Sequence, residues 1–591
     1  MKINIYQNIY SKISILLVII ITMVVNFNYH YWDDYTSVIK WDTINYYQYL
    51  PAWFDYGDLK FNFIYHDWDL IKTKFWPISS PTGGFTNKVT MGMSILYAPF
   101  YLIAEIQAII TNKPTDGFST PYMMWLIIGA LTYVVIGFVY LRKTLLMFFS
   151  DLATSITILL LLFATNLFFY TTVDMAMPHA YLFSLFSLFI YFTIKWHKKA
   201  SIKDSIILGL IVSIITLIRP TDIIIVLFFI FYNVLNSKTL INKYYFFIKR
   251  WQYLIIITLF TITFWIPQII YWKYTTGSYL FFSYGNEGFF FNNPQIIKTL
   301  FSFRKGWFIY TPIMFFVVLS IFLLYKKQKQ FFLPILLFVI INIYIISSWW
   351  CWWYGGTYGN RVFIESYALM AFPLATLMSL LINNRKIFFK FITFFFVILF
   401  ITHQSFQLIK YNNKSIHYDS MSKKAYFSTF FDIKPPNNFD SMLEKANYKY
   451  CLLNNNYDTK PVEVSIKKVQ FRTSNDKYLC SDMGIAGVLY ANKNKAGSWE
   501  TFYLIKYSDK TYSIKNSKDF FVTKTPDINI LMANDDVNNS YCYFILEKVG
   551  ENRVKIKTLN NLYFSVEKYT NQIFLTDNDK LLPEVFEIIY L

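Results

Sequence analysis

The stretch ISILLVIIITMVVNFN, residues 13–28, carries no charged side chain. Wound as a helix, a run of about 20 such residues spans the ~30 Å hydrocarbon layer of a bilayer. Lys2 and Lys12 precede it, and no small-residue cleavage site follows. An uncleaved signal-anchor helix is therefore expected. Similar apolar runs recur near 120–140, 152–171, 178–194, 204–219, 221–236, 252–272, 308–325, 331–349, 363–382 and 388–405. The expected fold class is an α-helical polytopic membrane protein, with about eleven transmembrane helices over residues 1–405.

Composition agrees. Of 591 residues, 55% are hydrophobic, 21% aromatic and only 15% charged. Soluble proteins carry about 25% charged residues. The deficit lies in the first two thirds, so at least two domains are expected. A net charge of +19 raises the question of nucleic acid. That partner is rejected, because the basic residues sit mainly in short loops between apolar runs and no nucleic-acid motif is present. Cys351, Cys451, Cys480 and Cys542 show neither CxxC nor metal spacing, so buried or unpaired thiols are expected.

The loops give an orientation. One alternating set holds Arg142 and Lys143; Lys195, Lys198, Lys199 and Lys203; Lys238, Lys243, Lys249 and Arg250; Lys326, Lys327 and Lys329; and Arg385, Lys386 and Lys390. That set is expected inside with the N-terminus, in a cytoplasmic (inner) membrane, which leaves the C-terminal domain outside. Residues 91–111 contain Pro99 and Glu105, and a span there would break the alternation. An amphipathic segment on the outer interface is expected instead. Residues 204–236 are split by Arg219-Pro220-Thr221-Asp222, and a hairpin with an outer turn fits them.

The outer loops hold the candidate chemistry. The first, about 30–118, contains Asp33, Asp34, Asp42, Asp55, Asp58, Asp67, Asp69 and Lys88. A second loop, 273–307, carries Glu287, Arg304 and Lys305; a short one holds Asp174 and His179; another reads SWWCWWYGGTYGNR from Ser348 to Arg361. Long loops of this kind are usually functional or disordered, and their Trp, Tyr and Gly content argues against disorder. A carboxylate beside the membrane can act as general base on an alcohol. Arg and Lys can hold a phosphate. Each part also has a plain explanation: a solvated Asp, a tryptophan in the interfacial belt, or Arg219 snorkelling from a span end.

In their order, several pieces resemble the GT-C superfamily of polytopic glycosyltransferases, in the protein mannosyltransferase and aminoarabinose transferase branch. They are Trp41-Asp42-x-x-x-Tyr46-Tyr47-x-Tyr49-Leu50-Pro51, Asn87-Lys88-x-x-x-Gly92 and Met177-Pro178-His179-Ala180-Tyr181. Arg219-Pro220-Thr221, Leu300-Phe301-Ser302-x-x-x-Gly306 and Trp353-Tyr354-Gly355-Gly356-x-x-Gly359-x-Arg361 follow. The resemblance covers about 30–380. It implies a sugar donor on a polyprenyl phosphate and a lipid, glycan or protein acceptor. It also implies a catalytic acid in the first outer loop, carried over to Asp42 as general base for an inverting transfer. Asp174 is a second acidic candidate. Lys88, His179, Arg219, Tyr354 and Arg361 are the substrate-binding candidates. The family's Asp-Glu pair is missing; Asp33-Asp34 stands nine residues before Asp42. That leaves open which Asp is the base. No metal or other cofactor is expected, although a metal is not excluded.

Residues 466–591 repeat with a period of about 42: Phe502, Phe544 and Phe586 fall in register. So do Leu489-Tyr490-Ala491-Asn492, Leu531-Met532-Ala533-Asn534 and, more loosely, Phe574-Leu575-Thr576-Asp577. Three copies of short alternating strands are expected to close one all-β core. Gly487-Val488-Leu489-Tyr490 and Ala496-Gly497-Ser498-Trp499 resemble fascin-like β-trefoil domains, which implies a carbohydrate or protein ligand; a module without a ligand fits as well. Residues 406–465, with Pro435-Pro436, are expected to be a polar linker region. Two other functions are weighed. A transporter or lipid flippase usually places polar residues at mid-membrane. A surface-glycan polymerase or ligase would share the polyprenyl-linked donor.

Overall fold

The computed structural model describes residues 8–66, 70, 73–285, 287–446, 448, 451, 463–482, 487–507, 510–524, 530–535, 542–559, 562–576 and 583–591. Asp67, Asp69, Asp577 and part of the expected linker lie outside these residues. The chain folds as two compact units, Met1–Leu443 and Glu444–Leu591.

In the first unit, seven helices among the described residues are long and apolar enough to cross a membrane. They are Ile9–Tyr29, Gly92–Ile110, Thr120–Leu145, Trp251–Thr276, Lys329–Ser348, Arg361–Ile382 and Ile387–Asn412. The expected count of about eleven is not supported. The remaining apolar runs form helices that are shorter, broken or more polar. The run 152–171 stops at Phe163 and resumes as the single turn Phe169–Thr172. The run 308–325 is divided into Trp307–Tyr310, Ile313–Leu319 and Ile321–Lys327, with Pro312 at the first break. Proline supplies no N–H and forces the residue before it out of helical geometry. Pro220 acts in the same way after Ile202–Ile218, starting the 3-10 turn Pro220–Ile225. Pro178–Lys198 is long but carries buried His179, Ser184, Ser187 and Thr193.

The segment 91–111, expected along the interface, forms Gly92–Ile110, one of the seven. It is tied to Thr120–Leu145: Trp125 Nε1 donates to Gln107 Oε1 at 2.5 Å, and the Tyr122 hydroxyl donates to Glu105. At its start the backbone approaches a neighbouring segment so closely that a Cβ on Gly92 would lie 2.6 Å from Ile218 N. Backbone atoms cannot swing aside. Gly92→Val is therefore expected to destabilise this unit by about 1–3 kcal/mol, read as a lower melting temperature in detergent.

Several long helices are built inside out. The buried face of Ile9–Tyr29 is Ser11, Ser14, Val18, Thr22 and Asn26, at helical spacing. Ile13, Leu16, Leu17, Ile20, Ile21 and Val24 face outward. The Ser14 and Ser155 hydroxyls meet at 2.6 Å. Ile387–Asn412 buries Thr393, Phe400, Gln404, Gln407 and Lys410 and exposes Phe388, Phe391, Phe394, Phe395 and Ile398. A helix in a water-soluble protein does the reverse. Residues 406–443, expected to be linker, pack into this unit: Ile416, Met421, Ala425, Tyr426 and Phe439 join its core.

A short hairpin, β1 (Ile78–Ser79) with β2 (Phe85–Thr86), lies in the first long loop. The second unit is all-β. Six strands pair antiparallel into a closed ring: β3 (Glu463–Arg472), β6 (Phe502–Tyr507), β7 (Tyr512–Asn516), β10 (Phe544–Lys548), β11 (Arg553–Thr558) and β14 (Val585–Tyr590), with β14 returning to β3. Three hairpins join it: β4 (Tyr478–Asp482) with β5 (Val488–Lys493), β8 (Phe521–Lys524) with β9 (Leu531–Asp535), and β12 (Tyr563–Val566) with β13 (Ile573–Thr576). Phe502, Phe544 and Phe586 are fully buried in one core, with Leu489, Leu531 and Leu575. The 42-residue period thus corresponds to two ring strands and one hairpin per copy. Closing the ring leaves no free strand edge among the six.

Candidate functional site

Tyr31–Asp33 and Tyr35–Val38 carry the chain from the first long helix to Trp41. Trp41 adopts φ 52°, unusual for a bulky residue, directly before the helix Asp42–Tyr47. Its side chain is 71% exposed and touches Trp76 edge-on, with ring centroids 6.1 Å apart. Strain of this kind persists only where surrounding structure enforces it, and it concentrates at functional sites.

Asp42 opens that helix. Its Oδ2 accepts a hydrogen bond from Arg361 Nη2 at 2.7 Å. Asp42 is about half-exposed while Arg361 is mostly covered. Oδ1 has no hydrogen-bond partner among the described residues. Arg361 reaches this position because it starts the 3-10 turn Arg361–Ser366, directly after the glycine-rich loop that ends the Trp run. Tyr354 in that loop has φ 55° and donates to Ile346 O at 3.4 Å.

Beside this pair lies a buried second group. Glu365, one turn after Arg361, accepts from the Arg219 guanidinium and faces His179 Nδ1 at 3.3 Å. Arg219 sits where Pro220 breaks the helix and also faces Asp222, whose Oδ2 is buried without a hydrogen-bond partner among the described residues. The charges of Arg361, Arg219, Asp42 and Asp174 all reach the His179 ring. Asp174 pairs with Lys40 at 2.9 Å, two residues before Asp42. Lys88 pairs with Glu287 at 2.5 Å and lies over the Tyr284 ring. Burial pushes the Tyr284 phenol up to about 12, and Asp42 and Glu287 add to that. Burial likewise raises the Tyr46 phenol, with Tyr284 and Asp42 adding and Arg361 and Arg219 opposing.

Of the seven residues singled out in the sequence, Asp42 touches Arg361 and Arg219 and His179 meet at Glu365, with the pairs of Asp174 and Lys88 beside them; the charges of Arg219, Glu365 and Asp222 reach the Tyr354 phenol. Asp42, Lys88, Asp174, Arg219 and Arg361 each have an oppositely charged partner, and His179 faces Glu365. Four residues outside the selection take part: Lys40, Asp222, Glu287 and Glu365. Glu365 was the most legible of these, as a lone acid within the apolar run 362–382. Among the described residues no group of three or more His, Cys, Asp or Glu is arranged to hold a metal ion.

Lys305 is fully buried, within reach of the Arg361 and Asp419 charges. Burial pushes its amine down to about 7; Asp419 opposes that shift and Arg361 adds to it. A lysine depressed in the folded state costs stability wherever the unfolded chain is protonated, fully below about pH 7 and vanishing towards pH 10.5. Lys305→Met is therefore expected to stabilise the protein by on the order of 3 kcal/mol at pH 6. Melting temperatures of both proteins at pH 6 and pH 10 should converge at the higher pH.

Residues 464–580 match the model of a domain of unknown function, DUF7910. No curated protein matches the chain.

Proposed function

We propose that the first unit is a multi-pass membrane glycosyltransferase of the GT-C type, moving a sugar from a polyprenyl phosphate to an acceptor hydroxyl. The observation that carries the proposal is the Asp42–Arg361 pair: a half-exposed carboxylate with one free oxygen beside a covered guanidinium, within a cluster of paired charges. The inside-out helices support a bilayer environment, since apolar faces this long are rarely exposed to water. The basic loops support an N-terminus inside and the β unit outside a cytoplasmic membrane.

In this reading Asp42 Oδ1 takes the proton of the acceptor hydroxyl as its oxygen attacks the anomeric carbon. The bond from that carbon to the phosphate oxygen breaks on the opposite face, with inversion. The electron pair leaves on the polyprenyl phosphate, which Arg361, Arg219 and Lys88 neutralise. Exposed Trp41 offers a face for the sugar ring. Asp174, held by Lys40, orders the wall beside His179. The β unit, read as a fascin-like β-trefoil from its six-stranded ring and three hairpins, is proposed to bind carbohydrate or protein on the outer side.

Mass spectrometry of envelope lipids and glycoproteins, with and without the gene, tests the proposal. Loss of a single-sugar increment from one lipid or glycoprotein class is the expected result. Unchanged profiles in every class would count against it.

A further inference from the structure

An open groove of about 330 Å³ runs between the N-terminal half of Ile9–Tyr29 and the C-terminal half of Thr120–Leu145. Ile15, Leu16, Ile19 and Val139 line it, and Lys12 and Arg142 stand at one end. The 21-residue helix Ile9–Tyr29 is about 30 Å long. Its far end leads to Trp41 and Asp42, so the groove is separate from the candidate site.

The charges at the groove are only partly used. Arg142 donates through Nε to Ser11 Oγ at 2.7 Å and through Nη2 to Asn8 O at 3.2 Å. Its Nη1 makes no hydrogen bond among the described residues, and neither does the Lys12 amine. Among the described residues, Asp151 is the acid bonded to this helix end, its carboxylate accepting the Tyr10 and Ser11 backbone N–H groups at 2.8 and 3.1 Å. It caps the helix and, among the described residues, forms no ion pair with Lys12 or Arg142. Lys143 is turned away, its amine 4.6 Å from the Tyr140 ring centroid.

We infer that this groove is a binding site for an anionic glycerophospholipid of the inner leaflet, its acyl chain along the four apolar side chains and its headgroup phosphate between Lys12 and Arg142. The inference rests on the membrane reading above. A free phosphate would use the cations and leave the apolar floor bare. A neutral lipid would use the floor and leave two cations unmatched. Charge at the mouth and hydrocarbon on the floor together select an anionic lipid.

The test is native mass spectrometry of the full-length protein in detergent, titrated with phosphatidylglycerol or phosphatidylcholine of identical chains. Each cation is worth about fivefold near a membrane surface. Lys12→Gln should weaken phosphatidylglycerol binding by about fivefold and the Lys12→Gln/Arg142→Gln protein by roughly thirtyfold. Phosphatidylcholine binding should be unchanged in both, and Lys143→Gln should bind like the parent. Because Arg142 also holds Ser11, Lys12→Gln alone keeps the test decisive if the double variant does not fold. Equal retention of the two lipids, parental phosphatidylglycerol affinity in Lys12→Gln, or displacement by equimolar inorganic phosphate would overturn the site while leaving the membrane reading intact. Retention of neither lipid would overturn both.

Discussion

Asp42→Asn is expected to lower the turnover of sugar transfer by about 10²–10⁴-fold, the usual contribution of a positioned general base. Asparagine keeps the shape and can still accept a hydrogen bond from Arg361, so the fold should survive. Because Asp42 is about half-exposed, the Arg361 guanidinium left behind is not stranded in a dry interior. Melting temperature should therefore change little while turnover collapses. The base is distinguished from a mere binding residue by the split between constants: kcat falls, whereas KM for the lipid-linked donor stays within a few-fold. Asp174→Asn is the natural comparison. Asp174 is held by Lys40 and under the proposal stands only in the wall of the site, so its loss should be much the smaller. A reversed order would move the base from Asp42 to Asp174.

The second large effect is on stability. Glu365 is buried, accepts from Arg219 and faces His179. Removing one member of a buried ion pair strands its partner and typically costs about 3–5 kcal/mol. Glu365→Ala should therefore lower stability by that amount and in practice abolish folded protein. Arg219→Met leaves Glu365 facing His179 and Asp222, adding carboxylate repulsion to the loss of the cation. The joint variant Arg219→Met/Glu365→Met removes both charges and should recover most of the lost stability, but not transfer. Unfolding in detergent measures the first half of this statement and donor turnover the second. Full stability in Glu365→Ala would show that Arg219 does not depend on it.

Parts of this architecture were written plainly in the chain. The 42-residue spacing of Phe502, Phe544 and Phe586 foretold three copies around one core, because each copy must supply one large side chain to a shared interior. Apolar runs marked helices, but their number was overestimated. A hydropathy run does not reveal where Pro220 or Pro312 stops a helix, nor that Pro178–Lys198 turns a hydroxyl-bearing face inward. The charge alternation places the segment 91–111 along the interface; that it is one helix, bound to its neighbours at Gly92 and through the Tyr122–Glu105 contact, depends on packing. At the candidate site, loop sidedness put Asp42 and Arg361 on the same surface although 319 residues separate them. Their direct contact, and the partners Lys40, Asp222, Glu287 and Glu365, depend on tertiary packing that no local spacing encodes. Lys305 was visible as a residue, but its burial was not.

The measurement that bears most directly on the central claim uses purified full-length protein in vesicles with a radiolabelled polyprenyl-phosphate sugar and an envelope extract as acceptor. The account predicts transfer of one labelled sugar per acceptor by the parent protein and almost none by Asp42→Asn at equal folded amounts. Label that crosses the membrane without becoming covalently attached, or equal transfer by both proteins, would contradict it.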